Sequence, residues 1–313
     1  MGRPTLKLLV KVLVSLGLIA FLLSRLELAQ FFITFRSAHI SYLIIALIAY
    51  LVGQVLASFR WALLAWPLGF RNPMKDFVVY YFIGMFFNLF APSTVGGDVS
   101  RAYYLAREKL SVRDGGWTGP AAYAVVSVVT DRAIGMTVLV WIGAVAVALF
   151  PGYALPSPIR YTVYSLALGL LLAGMLVPRA IRFVQRAEHS WGRKVALIVK
   201  SYRGNWQFLI HAALLSLLVH SIQAWMQLLV GWSLGVELPW SYCFILYPLV
   251  GTFSALPFSL NGIGLREGGY LFLLGYVGVS SEKGVAFGLI WLLIVALDSL
   301  IGGILFVLKR PRD

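Results

Sequence analysis

The sequence predicts an all-α polytopic membrane protein arranged as an inverted repeat: three spans plus one re-entrant hairpin per half, six spans and two hairpins or eight segments in all, with N and C termini both inside. Three observations carry this expectation. The chain is 60% hydrophobic and 12% charged, with a mean hydropathy of +0.85, which leaves too little polar surface to cover a soluble globule. Apolar runs long enough to cross ~30 Å of hydrocarbon, roughly 17–25 residues, recur along it. Two stretches also read as copies of each other. Trp66, Leu68, Gly69, Pro73, Tyr81 and Phe87 match Trp232, Leu234, Gly235, Pro239, Tyr247 and Phe253 at an offset of 166, and Pro92, Gly97 and Arg101 match Pro257, Gly262 and Arg266 at 165. Asp131, Ile134 and Gly135 then match Asp298, Ile301 and Gly302 at 167. Duplication with interrupted apolar segments is a transporter signature. The chain is read as one membrane domain, 1–313, with a first repeat over 1–151 and an inverted second repeat over 152–313.

The run 8–26 follows Arg3, Lys7 and Lys11, and no small-x-small cleavage site comes after it, so it is read as the first anchor rather than a signal peptide. The second span, 41–66, carries Gln54 and Arg60 among its apolar residues. The run 77–91 has only 15 residues and stops at Pro92 and the pair Gly96-Gly97. With 99–108 behind that break it reads as a hairpin that enters the membrane and returns to the same side. Spans at 121–150 and 159–178 follow, then a loop from Arg179 to Asn205 with seven basic residues and one acid, Glu188, suited to anionic headgroups on the inner face. The span 208–232 precedes a second hairpin, made of 242–256 and 268–280 and broken at Pro257, and the span 284–308 ends the series.

Basic residues orient this arrangement. With the N-terminus inside, 19 of the 26 Lys and Arg residues fall on cytoplasmic segments, and five, Arg25, Arg36, Arg160, Arg266 and Lys283, fall outside. Three crossings per half place the second copy upside down relative to the first. The net charge of +14 therefore sets topology, and nucleic acid is not an expected partner. A single cysteine, Cys243, rules out an internal disulfide, and His39, His189, His211 and His220 show no ligand spacing, so neither a metal nor another cofactor is expected.

The breaks carry the chemistry. In Pro92-x-x-x-Gly96-Gly97-Asp98-x-x-Arg101, proline ends a helix, the glycines expose backbone N–H groups, Asp98 caps the next helix, and Arg101 lies one turn along on the same face. The second copy offers Asn261, Gly262, Gly264, Arg266 and Glu267. Both suit a phosphate, with Arg101 and Arg266 as guanidinium partners. The alternative is an ordinary helix cap at each break. Four charges sit inside apolar spans: Arg60, Asp131, Arg132 and Asp298. Such residues face the protein interior and need partners, and Arg101 and Arg266 are candidates for the two aspartates. His220, Gln223 and Gln227 share one helix face, which either lines a polar groove or bonds neighbouring helices.

The composite of Asn88-x-x-x-Pro92-x-x-x-Gly96-Gly97-Asp98-x-x-Arg101, then Val128-x-x-Asp131-Arg132, then Pro257 with Gly262-x-Gly264-x-Arg266-Glu267, resembles the lysylphosphatidylglycerol synthase transmembrane (flippase-like) family over nearly the whole chain. In one member of that family a membrane domain that flips aminoacylated lipid is joined to a soluble domain that makes it, and other members are tied to polyprenyl-linked sugars or other lipids. The chain ends at Asp313, shortly after its last apolar run, so the resemblance implies a translocator and not an enzyme. The expected cargo is an anionic or aminoacylated phospholipid, or a polyprenyl-phosphate-linked lipid, moved across the cytoplasmic (inner) cell membrane. A membrane enzyme acting on a lipid-linked sugar and a non-transporting membrane scaffold are the rival readings, and homo-oligomerisation stays open.

Overall fold

The computed structural model describes residues 28–90, 96–107, 119–184, 197–256, 259 and 262–309, with Leu13 and Gly17, and every regular element among them is helical. The main helices are α1 (Leu28–Arg36), α2 (Ile40–Ala65, continued by a 3-10 turn at Trp66–Leu68), α3 (Met74–Phe90), α4 (Gly96–Arg107), α5 (Pro120–Leu149), α6 (Ser157–Val184), α7 (Trp206–Ser233), α8 (Trp240–Ser254), α9 (Leu265–Gly275) and α10 (Ser281–Leu308). Five stretches are long and apolar enough to cross a membrane: Ile40–Leu68, Pro120–Leu149, Ser157–Leu176, Trp206–Ser233 and Ser281–Leu308. They coincide with five of the six expected spans. The sixth, 8–26, lies outside the described residues apart from Leu13 and Gly17.

Local chemistry explains the boundaries. Pro120 opens α5, where its missing N–H is no loss, and Ser280 caps α10 by accepting from the Lys283 N–H. The apolar segments following α2 and α7 both turn at a glycine in the left-handed region, Gly69 (φ 90°) and Gly235 (φ 61°), a conformation a side chain would strain. Leu168, Leu172, Met175 and Leu176 on α6 stay exposed, as suits a lipid-facing helix.

Contacts between helix ends define two ends of the bundle. At one, the Tyr202 hydroxyl donates to the Leu64 carbonyl at 2.8 Å, and Lys309 Nζ lies 3.7 Å from Asp76 Oδ1. Burial raises the Tyr202 phenol well above its usual range. At the other end, His39 donates its backbone N–H to Ser233 O at 2.8 Å, Lys283 Nζ donates to Gly235 O at 3.2 Å, and the Tyr153 and Ser241 hydroxyls are 2.7 Å apart. So α3 starts at the first end and α8 at the second.

Both short helices double back. Tyr80 near the start of α3 stacks on Tyr104 near the end of α4 at 5.2 Å, and Tyr242 at the start of α8 donates to the Leu273 carbonyl near the end of α9. The arms have 17, 12, 15 and 11 residues, or about 25, 18, 22 and 16 Å of helix. Packing recurs in pairs: α3 lies on α10 and α8 on α5, α4 lies on α5 and α9 on α10, while α2 and α7 share the most extensive interface.

Glycines permit the tightest crossings. A Cβ on Gly302 would sit 1.9 Å from the Phe82 carbonyl oxygen, so Gly302→Ala must push α10 off α3. It is expected to lower stability by about 1–3 kcal/mol, read as a fall in the melting temperature of the purified protein in detergent.

Candidate functional site

The first helix pair closes on glycine as well. A Cβ on Gly97 would lie 2.0 Å from the Gly84 carbonyl oxygen, and one on Gly84 would lie 2.7 Å from Arg101 Cγ. Gly96 and Gly97 form the first turn of α4, where Gly97 donates its N–H to Asn88 Oδ1 at 3.1 Å, satisfying one of the orphan donors of a helix start.

From α4, Arg101 turns into the bundle. Its guanidinium lies between Trp61 and Tyr81, 4.3 and 4.4 Å from the ring centroids. Its Nη2 donates to Asp131 Oδ2 at 2.8 Å, while Arg60 Nε donates to Asp131 Oδ1 at 2.7 Å. Arg60 Nη1 continues to Ser216 Oγ at 3.0 Å, and Gly135 makes room for it, since a Cβ there would approach Nη1 to 3.2 Å. This triad joins α2, α4, α5 and α7 and buries one excess positive charge.

Arg132 points elsewhere, because successive residues on a helix diverge by about 100°. Its Nε lies 2.5 Å from Asp98 Oδ2, and its side chain remains 50% exposed. Asp98 Oδ1 has no hydrogen-bond partner among the described residues. In the second pair, Gly262 packs on Ser254, where a Cβ would meet Ser254 Cβ at 2.8 Å. Gly264 donates its N–H to Glu267 Oε2 at 2.6 Å, so the buried Glu267 carboxylate caps α9 from its first turn.

The two tips meet. A cavity of about 440 Å³ is walled by Met85, Asn88, Leu89 and Asp98 from the first pair and by Ser254, Ala255, Leu256, Ser259, Gly262 and Arg266 from the second. Tyr50 on α2, Arg132 on α5, and Val295 and Ser299 on α10 complete it. A second cavity, about 630 Å³ between α5, α7 and α8, is lined by apolar residues such as Trp141, Leu214 and Phe244, with Thr137 at one point, and offers a headgroup nothing to bind.

Residues 8–302 match the family model described as the lysylphosphatidylglycerol synthase TM region. The chain belongs to that family. Among curated proteins, a search returned no match. Family membership and the five long apolar helices make this a multi-pass membrane protein of a lipid-related family, in agreement with the resemblance carried by the motifs at 88–101, 128–132 and 257–267.

Of the residues expected at a binding site, Asp98, Gly262 and Arg266 border the cavity. Gly96, Gly97, Gly264 and Glu267 shape the helix starts beside it, and Asn261 falls outside the described residues, as do Pro92 and Pro257. Arg101 lies elsewhere: its guanidinium is held by Asp131 and two aromatic rings and is not on the cavity wall. Arg132, expected only as an intramembrane charge, lines the wall together with Arg266. The pairing of Asp131 with Arg101 agrees with expectation, but among the described residues Asp298 finds no corresponding cation, and its Oδ2 has no hydrogen-bond partner there.

The polar face of α7 bonds its neighbours. His220 lies 3.1 Å from the Tyr247 hydroxyl and 3.0 Å from the Gly135 carbonyl, Tyr247 donates to Gln223, and Gln227 donates to the Gln223 carbonyl at 3.0 Å. No group of three His, Cys, Asp or Glu side chains among the described residues is arranged to hold a metal ion. The sequence analysis missed Asn88, Ser254 and Ser299 as wall residues, although a signal was present. Asn88 and Ser254 are matched at the offset of 166, each the polar residue closing an apolar arm, and Ser299 follows Asp298 as Arg132 follows Asp131.

Proposed function

We propose that this chain is a lipid translocase of the cytoplasmic membrane, moving an anionic or aminoacylated phospholipid or a polyprenyl-phosphate-linked lipid between leaflets without acting on it as an enzyme. The observation that carries the reading is the shared cavity: two helix pairs that start from opposite ends of the bundle bring their tips to one chamber, with Arg132 and Arg266 on its wall. Guanidinium groups recognise phosphate oxygens bidentately. Asn88, Ser254 and Ser259 offer further polar contacts while lipid tails remain in the bilayer.

In this reading the halves 1–151 and 152–313 form an inverted repeat, N-in and C-in, and both helix pairs are re-entrant. Arms shorter than ~30 Å of hydrocarbon, antiparallel partners and the matched packing of α3 on α10 with α8 on α5 all support it. Two related halves give inward- and outward-open states similar energies, as alternating access requires.

The test is leaflet exchange in proteoliposomes carrying fluorescent phosphatidylglycerol, lysyl-phosphatidylglycerol or polyprenyl phosphate. At least one should cross faster than in protein-free vesicles, and no acceleration of any of them rejects the reading. The buried triad around Asp131 favours a rival, a membrane scaffold held by ion pairs, which predicts a stable protein and no lipid movement. Turnover of a labelled sugar donor would instead mark an enzyme.

A further inference from the structure

Asp131 and Asp298 occupy matching positions at an offset of 167, yet their surroundings are opposite. Two guanidiniums hold Asp131. Asp298 is just as buried, at 1% exposure, but its Oδ2 meets no hydrogen-bond donor among the described residues. The sequence explains the difference. Met226 stands where the offset of 166 would place a counterpart of Arg60, and Arg266, the counterpart of Arg101, borders the cavity.

An ionised carboxylate without a counter-ion inside an apolar bundle is costly, and the group avoids that cost by holding a proton. Val295 and Ser299, three residues before Asp298 and one after it on α10, both line the cavity. Anything that enters the cavity comes within one helical turn of the carboxyl group.

We infer that Asp298 is a proton-binding site coupled to the cavity. It holds a proton in the conformation described here and gives it up when the cavity widens past Ser299. In that step the carboxyl O–H bond breaks, the proton passes to water and the carboxylate stays; the reverse step takes a proton from water on the other side. The inference rests on the translocase reading and adds to it a coupling ion.

Among the described residues, no charged group forms an ion pair with Asp298. On α2, the Tyr50 phenol is within electrostatic reach of Asp298 and brings no cation. On α9, Glu267 caps its own helix and Arg266 lines the cavity. On α3, Asp76 pairs with Lys309, which also covers Tyr80, and Tyr81 lies against Arg101. On α7, His220 is held by Tyr247 and the Gly135 carbonyl. On α1, Arg36 is exposed.

Two measurements test the proposal on the full chain. The first imposes a pH gradient on proteoliposomes holding the three fluorescent lipids, with the membrane potential clamped to zero by potassium and valinomycin. If one proton moves with each lipid, the steady-state leaflet ratio shifts by up to about tenfold per pH unit, and Asp298→Asn abolishes the shift. The second is an infrared difference spectrum at neutral pH. The parent should show the C=O stretch of a protonated carboxyl group, and Asp298→Asn, with unchanged helix content by circular dichroism, should lack it. Exchange that ignores the gradient in the parent, or a parent spectrum without that band, overturns the proposal and leaves the translocase reading standing. A band in the parent without exchange of any lipid removes the translocase reading and the coupling, and supports the proton site alone.

Discussion

Asp131→Ala is expected to destabilise the folded protein by about 3–5 kcal/mol, the range seen when one partner of a buried ion pair is removed. The variant strands two guanidiniums, Arg60 and Arg101, whose side chains are 7% and 6% exposed, and removes the bonds at 2.7 and 2.8 Å that join α2 and α4 to α5. Thermal unfolding in detergent measures the loss. The companion experiment replaces the whole triad by apolar residues, Arg60→Met, Arg101→Met and Asp131→Leu, the first following Met226 in the second half. Well-packed apolar replacements of buried ion pairs are often neutral or stabilising, so the triple variant should recover most of the stability lost by Asp131→Ala. A triple variant as unstable as the single one would show that the site cannot be repacked and that the charge itself organises the fold.

The variants Arg132→Ala and Arg266→Ala are expected to act on transport. Each removes a charged hydrogen-bonding group from the cavity wall, an interaction of about 1.5–3 kcal/mol, so lipid exchange should slow roughly tenfold to a hundredfold for each. Stability should change little for Arg132→Ala. In its pair with Asp98 the Arg132 side chain is 50% exposed and Asp98 16%, and pairs with an exposed partner lie toward the surface range of about 0–1 kcal/mol. Arg132→Lys keeps the charge but loses the planar fork and should restore only part of the rate. Exchange at the parental rate in both alanine variants would remove the cavity from the mechanism. Arg101→Ala makes the contrast, since its principal effect should be on melting temperature.

Much of this architecture could be read before any coordinates. Spans such as 121–150 and 208–232 are legible because hydrocarbon demands long apolar runs, and length and composition suffice to mark them. The breaks near Gly97 and Gly262 are legible because proline and glycine interrupt helices for local steric reasons. The site was harder to read. Arg101 and Arg132 carry the same charge, one near the Asp131-bearing helix and the other on it, and no periodicity says which turns inward. That choice depends on Trp61, Tyr81 and Arg60, which come from other helices and stack or bond around Arg101 once the bundle has packed. Asp298 was legible as an intramembrane charge; that no cation among the described residues pairs with it was not, because partners on separate helices are assigned only by packing.

The chain by itself determined that this is a helical membrane protein with charges inside its spans and with motifs that recur along its sequence, all consequences of local hydropathy, backbone freedom and residue spacing. Tertiary structure alone decided that the two tips share one cavity, that Arg132 rather than Arg101 reaches its wall, and that Asp131 is clamped while Asp298 is not. These are contacts between residues distant in sequence, and in a medium without water to satisfy them, buried polar groups depend on whichever neighbours the packing supplies.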